Sequence, residues 1–329
     1  MKSAIQTFLN CDSRYITPLS VMVFSILKNA NPEREMHIHV AHDQSFADKG
    51  CCDVISSLCA RYPFAMAHFH NAEKLLQRHK PVLASGLNKW APIIWAGPLM
   101  TEILPDDVMG RIIYLDVDML VCSRLDELAD LDLGENIAAA VFECDRASSS
   151  HLESCEWPKS VKYYYNNGTM LVDLDRYRQL RIGERIMEWY SKFKDVAICT
   201  DQDSQNAVFG DRILPLHPKW NYNDSWLMRT ARSMPFSRTV RALPKKPLLE
   251  ATIAPAVIHY IRKKPWTYTR RPASRIYHRY MRELGVFDPA LDGTTMRQKL
   301  ELALSGVYNG LLMAYARLML KLTPSVDML

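Results

Sequence analysis

The sequence predicts an α/β protein built on a doubly wound, mostly parallel sheet, and three observations carry that prediction. Short apolar runs suited to buried strands alternate with stretches of helical apolar spacing along most of the chain. The 329 residues are 48% hydrophobic and 23% charged, enough to bury one large α/β core or two domains and too apolar for disorder. With 12 Gly and 18 Pro the composition is far from collagen-like or linker sequence, and no internal repeat is present.

The elements follow in order. Ala4 to Leu9 reads as a first buried strand, and Thr17-Pro18 opens a helix with apolar positions at Leu19, Val23, Ile26 and Leu27. The alternation continues with a strand at His37 to Ala41, a helix at Ala47 to Tyr62, a strand at Phe64 to Phe69, a helix at Ala91 to Leu104 and a strand at Arg111 to Leu115. Later strands are expected at Ile137 to Phe142, Met170 to Leu174, Ile213 to Leu216 and Val257 to Tyr260, with helices near Asp175 to Phe193 and Asp203 to Phe209. From Ser274 onward the pattern is helical, and Leu300, Leu304, Val307, Leu311, Leu312, Tyr315, Leu318, Met319 and Leu322 mark an amphipathic terminal helix. In such sheets ligands bind beyond the carboxyl ends of the strands, so the loops that follow strands are where chemistry is sought.

The amino end lacks the apolar core of a signal peptide, which predicts a chain that starts in the cytoplasm, and no window reaches the apolar length of a membrane span. Eight cysteines without a Cys-x-x-Cys pair read as reduced, mostly buried thiols, which argues against a cysteine-built zinc site. From Lys219 to Arg282 there are 15 Lys or Arg against Asp224 and Glu250, so the rest of the chain is net acidic although the whole carries +5. A basic face of that size wants an anionic partner.

Arg111 to Leu115 runs straight into Asp116-Val117-Asp118, which places two carboxylates at a strand's carboxyl end, on one side of an extended backbone. Hard oxygen ligands held there suit Mg²⁺ or Mn²⁺, and such an ion neutralises a diphosphate. The bland alternative is a pair of acids facing solvent.

The segment Tyr-Leu-Asp-x-Asp-Met-Leu-Val resembles the metal motif of glycosyltransferase family 8, the retaining nucleotide-sugar enzymes that include bacterial lipooligosaccharide galactosyl- and glucosyltransferases and glycogenin. Four further segments resemble that family's blocks in the family's order: Tyr163 to Leu174 around Asn166-Asn167-Gly168, Asp201-Gln202-Asp203, Pro218-Lys219-Trp220-Asn221, and His259-Tyr260 with Lys264-Pro265-Trp266. The resemblance spans roughly residues 4 to 266 and implies a nucleotide-diphospho-sugar transferase fold of GT-A type over 1–268, with a basic helical extension over 269–329. It implies Mn²⁺ or Mg²⁺ held by Asp116, Asp118 and His259. The donor implied is a UDP-sugar, UDP-galactose or UDP-glucose, contacted by Asp12, Tyr15, Asp116, Val117, Asp145, Asn166 and Lys264. Asp201 and Gln202 are implied at the reacting face. Without the resemblance, Asp12 and Asp201 read equally as caps, Asn166 as a turn residue, His259 as a core histidine and Lys264 as a solvated cation.

Three departures stand out. Where the family often has Thr-Tyr-x-Arg, this chain reads Ile94-Trp95-Ala96-Gly97, so either Lys89 replaces that cation or the diphosphate is held differently. The spacing from His259 to Lys264 is one residue short, and Arg262 stands where Gly is common. At the start, Asn10-Cys11-Asp12-Ser13-Arg14 keeps one of two usual acids. The resemblance implies a saccharide acceptor, lipopolysaccharide or another cell-surface glycan, lipid-linked in the membrane-assembled case, and a peripheral position on the inner membrane face. The basic segment, 229–282 above all, then fits anionic headgroups or a phosphorylated oligosaccharide better than nucleic acid, although its interleaved aromatics would also suit a single strand. The terminal stripe either joins that attachment or packs on the catalytic domain. A catalytically silent scaffold is the rival reading, and a phosphoryl-transfer enzyme is disfavoured because no Gly-rich phosphate cradle is present.

Overall fold

The computed structural model describes residues 3–83, 91–145, 150–155, 157–158, 161, 163–223, 245–261, 264–267, 273–293 and 295–322. The chain divides into two compact units, one of Met1–Ile16, Ala30–Val117 and Leu125–Leu216, the other of Thr17–Asn29, Asp118–Arg124 and His217–Leu329.

The first unit is a seven-stranded sheet made of β1 (Ile5–Cys11), β2 (Met36–His42), β3 (Ala65–Asn71), β4 (Arg111–Leu115), β6 (Ala138–Asp145), β7 (Tyr163–Asp173) and β8 (Ile213–Leu216). Their order is β3-β2-β1-β4-β7-β6-β8, and β7 alone runs against its neighbours. The central strands are apolar on both faces, with Phe8, Leu9, Ile38, Val40, Ile112, Leu115, Leu171 and Val172 fully buried, as parallel strands covered by helices must be. From β1 the chain winds outward to β2 and β3, then returns to place β4 on the other side of β1. That reversal is a topological switch point, and the residues just beyond its two strands are Asp12 and Asp116. Beside β6, the ladder of β7 jumps from Ala140↔Met170 to Val141↔Asn166, so Asn167 to Thr169 bulge out of that pairing. Bulges re-aim side chains beside sites, and this one frees Asn167.

The second unit holds a small sheet of β5 (Met119–Val121), β10 (Val257–His259) and β9 (Tyr222–Asn223), in the order β5-β10-β9. Its helices are Ile16–Asn29, which enters from the first unit by one residue, Lys245–Ile253, Ser274–Leu284 and Met296–Leu322. The open edge of β5 is closed by side chains of the first of these: Ser25 accepts from the Val121 amide at 3.0 Å, and Asn29 donates to the Val121 carbonyl at 3.1 Å. An unpaired edge is thereby satisfied without another strand.

The mostly parallel α/β architecture and the strand Arg111–Leu115 stand as expected. Other elements differ, each for a local reason. The helix expected over Ala47 to Tyr62 is two, Gln44–Asp48 and Cys51–Cys59, broken where Gly50 takes a positive φ of 68°. Ala91 to Leu104 is a 3-10 turn, Pro92–Ala96, and one helical turn, Met100–Ile103, because prolines 92 and 98 interrupt the ladder. A helix at Glu73–Leu83 was not expected, its polar face and Pro81 having masked the Leu75, Leu76 and Leu83 stripe. Val117 and Asp118 form a turn, so the two carboxylates do not share an extended backbone. The seven described cysteines are all free thiols, four of them buried. Along Met296–Leu322 the residues Leu300, Leu304, Val307, Leu311, Tyr315, Leu318 and Leu322 are exposed, Met319 is half-buried and Ala316 is buried, so most of the described stripe faces outward; the side chain of Leu312 lies outside the described residues.

Because Ser25 is fully buried, Ser25→Ala strands the Val121 amide, at a cost of about 1–3 kcal/mol in chemical denaturation. A change below about 0.5 kcal/mol would mean that the amide finds another partner.

Candidate functional site

In the second unit the carboxylate of Asp118 is the focal group. It sits in the turn before β5, and the Tyr260 amide, one residue past β10, donates to its carbonyl at 3.0 Å. His259 closes β10 opposite Met119, and its Nε2 lies 3.3 Å from Asp118 Oδ1. The other ring nitrogen, Nδ1, is 2.9 Å from Asn221 Oδ1. An amide oxygen only accepts, so Nδ1 donates to Asn221 and the ring is oriented with Nε2 toward Asp118. Asn221 comes from the 3-10 turn Pro218–Asn221 that leads into β9, so the Pro-x-Trp-Asn block orients the histidine.

Lys264 reaches the same carboxylate: its ammonium pairs with Asp118 Oδ2 and donates to the Tyr260 carbonyl at 2.8 Å. The loop that carries it is tied to the helix Ser274–Leu284, since His278 Nε2 lies 2.7 Å from the Pro265 carbonyl and the Trp266 ring stands 5.7 Å from that of Tyr277. Burial alone would raise the Asp118 pKa, but His259 and Lys264 outweigh it and hold the carboxyl well below the usual range. A persistent carboxylate, an imidazole nitrogen beside it, and a side-chain ammonium already in a cation's place together fit a divalent metal.

In the first unit Asp116 follows β4. Its amide donates to the Gly168 carbonyl at 2.8 Å, and its Oδ1 accepts from the Tyr114 hydroxyl at 2.7 Å. A Cβ on Gly97 would stand 2.7 Å from Tyr114 Cε2 and 3.2 Å from the hydroxyl. Gly97 therefore has a steric cause: the aromatic ring that holds Asp116 fills the space an arginine there would need. Lys89, Arg262 and most of the basic stretch, including 224–244, lie outside the described residues.

Asp201 and Gln202 occupy the first turn of the helix Thr200–Phe209, whose N-cap is Cys199, so Asp201 is not the cap. Asn167 Nδ2 donates to Asp201 Oδ2 and to Gln205 Oε1, both at 2.8 Å, while the Asn167 amide donates to Gln202 Oε1 at 3.2 Å. Glu143, on β6 and not singled out from the sequence, accepts from Gln202 Nε2 and from Asn166 Nδ2, each at 3.1 Å. Its only sequence signal was an acid near the end of a strand. Asn166 also takes the turn role, accepting from the Gly168 amide at 3.0 Å. Burial, with Asp116 adding to it, pushes the Asp201 carboxyl up to about 7 against the hydrogen bond from Asn167.

Asp12 caps the 3-10 turn Ser13–Tyr15 through the Arg14 amide and pairs with the Arg14 guanidinium at 2.6 Å, and Tyr15 beside it is partly exposed. Asp145 closes β6 opposite Tyr163, its side chain being outside the described atoms. The structure thus gathers Asp118, His259 and Lys264 in one unit, and Asp116, Asn166, Asp201 and Gln202 at the carboxyl side of the sheet in the other.

Residues 6–270 match the model for glycosyl transferase family 8. General stress protein A of Bacillus subtilis is 27% identical over 285 residues, 85% of this chain and 94% of that protein. A lipopolysaccharide 1,2-glucosyltransferase of Escherichia coli is 23% identical over 216 residues, 64% of this chain and 60% of that protein. Among solved structures, the galactosyltransferase LgtC with donor and acceptor sugar analogues superposes with a TM-score of 0.65 at 20% identity, covering 88% of this chain and all of that one. At that identity the likeness shows the fold, that of GT-A type glycosyltransferases.

Two measurements check the geometry. Gly97→Ala forces Tyr114 off Asp116 and costs about 1–3 kcal/mol in denaturant unfolding; a neutral result would mean that the ring gives way freely. In the metal-free protein the folded Asp201 binds a proton that the unfolded chain releases above its ordinary value of 3.8, so its stabilising contribution is lost as pH rises from about 4 through about 7. Asp201→Asn escapes that loss, and its unfolding free energy should gain on the wild type between pH 4 and pH 8 by an amount on the order of 2–4 kcal/mol. A constant offset would contradict the raised value.

Proposed function

The chain belongs to glycosyl transferase family 8 and is by that membership a glycosyltransferase, and from this premise we propose a specific reaction. The enzyme moves a hexose, galactose or glucose, from its UDP-sugar to a saccharide acceptor of lipopolysaccharide or another cell-surface glycan, retaining the anomeric configuration and using Mn²⁺ or Mg²⁺. The observation that carries the reading is the Asp118 carboxylate facing a histidine that Asn221 orients. The relatives named for lipopolysaccharide glucosyl transfer support the acceptor class.

In this reading Asp116, Asp118 and His259 hold the metal, which when bound neutralises the diphosphate. Lys264 leaves Asp118 for the diphosphate and stabilises the departing UDP. Asp12 and Tyr15 take the base, the backbone at Val117 and the Asp116 carboxylate take the ribose, and Asp145 and Asn166 grip the sugar hydroxyls. Lys89 supplies the cation that Gly97 does not. Gln202, its amide engaged by Glu143 and by the Asn167 backbone, is a positioned dipole at the reacting carbon and a poor nucleophile. Asp201 is committed to Asn167 and favours its proton near neutral pH, which also weakens it as a nucleophile. Both features favour front-face substitution, in which the acceptor hydroxyl enters on the side that UDP leaves, over a covalent glycosyl-enzyme.

The extension over 269–329 docks the enzyme on an anionic membrane surface. The exposed stripe of Met296–Leu322, which ends at Leu322 and is continuous from Leu300, supports that role together with the basic residues of 229–282. Among the described residues no helix is long and apolar enough to cross a membrane.

UDP titrated calorimetrically should bind with Mn²⁺, bind at least about tenfold more weakly to Asp118→Ala, and one of UDP-galactose and UDP-glucose should be hydrolysed. Failure of UDP to bind with Mn²⁺ would move the scaffold reading ahead. Leu304→Glu with Leu311→Glu should abolish sedimentation with phosphatidylserine-containing vesicles and leave hydrolysis intact; retained sedimentation would remove the stripe from the docking surface.

A further inference from the structure

Four histidines converge at the edge of the large sheet, on two strands that carry none of the residues assigned above. β2 and β3 are parallel, with His37 opposite Met66, His39 opposite His68 and Ala41 opposite His70. Side chains alternate along a strand, so His37, His39, His68 and His70 share one face of the two outermost strands. The rings stack as a ladder, His37 on His68, His68 on His39 and His39 on His70, with centroids 5.1, 4.7 and 5.2 Å apart. His37 Nδ1 lies 3.1 Å from His68 Nε2, and His39 Nδ1 lies 3.0 Å from His70 Nε2.

Core filling does not account for this set. A face that packs apolar residues is served by β-branched or aromatic side chains, whereas His39, only 2% exposed, keeps its Nε2 buried without a hydrogen-bond partner. Such an atom costs about 1–3 kcal/mol unless something answers its lone pair or proton. Three of the rings, His37, His39 and His68, each offer a nitrogen, and these atoms lie within 4.8 Å of one another.

We propose that His37, His39 and His68 form a binding site for a transition-metal cation of the zinc class, separate from the site of the sugar donor. Two histidines at i and i+2 on one strand with a third on the neighbouring strand give three imidazoles on one face, a donor set that suits zinc, copper or nickel and not the oxygen-seeking Mg²⁺. Nitrogens around tetrahedral zinc stand about 3.3 Å apart, so the set, within 4.8 Å as it stands, has to close by reorienting its rings. Outer partners are already in place. His70 holds His39 through Nδ1 and so directs its free Nε2, and the Glu35 carboxylate stands 3.9 Å from His37 Nε2, on the far side of that ring from His68. Binding replaces the His37–His68 hydrogen bond, and the ring that donated it moves its proton to its other nitrogen through solvent, with no net change in charge on either ring. His37 and His68 are partly exposed, which gives the ion a way in. The burial that depresses the pKa of His39, to about 3, and of His68 keeps these rings neutral at pH 7, the form that ligates. The bound ion would pin the edge strand β3 to β2.

Zn²⁺ titrated calorimetrically into the chelator-treated full chain, with Asp118→Ala as the background that disables the donor site, tests the proposal. One Zn²⁺ should remain on Asp118→Ala with micromolar or tighter affinity, raise its melting temperature, and weaken at least about tenfold when His37→Gln and His68→Gln are added. Co²⁺ in its place should give visible d–d absorption that the added substitutions remove. Should the triple variant fold poorly, His70→Gln on the same background should weaken Zn²⁺ by about tenfold through the loss of His39 positioning. Zn²⁺ binding lost with Asp118→Ala, unchanged by the histidine substitutions, or weaker than about 100 μM would overturn it.

Discussion

A carboxylate taken out of water must be met by positive charge or give up its own, and Asp118 keeps its charge. That constraint organises the small sheet. β10 pairs with β5 so that His259 closes the ladder opposite Met119, next to Asp118. β9 pairs with β10 and follows directly on the turn from which Asn221 holds the imidazole. The loop after β10 brings Lys264 to the remaining oxygen, and the helix Ser274–Leu284 fixes that loop through His278 and Tyr277. Four separate stretches of sequence are spent on one carboxylate, which is reasonable only if the negative charge has work to do. In the proposed reading a divalent cation is the partner that such a centre would accept, and the lysine holds the carboxylate in its place.

The large sheet solves a different problem, that of presenting uncharged polar groups beside a strand end. The single antiparallel strand β7 lies between β4 and β6, and its bulge at Asn167 to Thr169 lets one residue tie Asp201, Gln202 and Gln205 together while the Gly168 carbonyl holds the amide of Asp116. Glu143 closes the network from the other side. The result is a set of amides and carboxylates whose orientations are determined by one another. Gly97 belongs to the same economy: its missing side chain leaves room for the tyrosine that steadies Asp116.

Much of this was legible in the sequence because the signals were local. Arg111 to Leu115 is an unbroken apolar strand that ends in two acids, and both its limits and its position before Asp116 could be read directly. The carboxyl ends of β1 and β4 could be located, and with them Asp12 and Asp116. What could not be read was tertiary. The full length of β7, Tyr163–Asp173, was hidden because its first half is polar and aromatic and its pairing is antiparallel. Asn221 was marked only as part of the Pro-x-Trp-Asn block and Glu143 only as an acid near a strand end, since each acquires its role from a residue distant in the chain, His259 for Asn221 and Gln202 for Glu143. The interruption at prolines 92 and 98 was visible in principle, yet the apolar spacing of Ala91 to Leu104 outweighed it. The histidine ladder required the register of β2 on β3, because His-x-His on one strand is only half of it.

Membership in glycosyl transferase family 8 makes a metal centre at Asp118 the claim to test, and the lysine on Asp118 gives a handle on it. If Lys264 stands in for the metal, removing its charge must open the site to the ion. Free Mn²⁺ measured by electron paramagnetic resonance, without nucleotide, should therefore show Lys264→Met binding Mn²⁺ several-fold more tightly than the wild type, about tenfold by the loss of one competing charge-assisted contact. Equal or weaker binding in the variant would contradict a metal centre at Asp118 and His259.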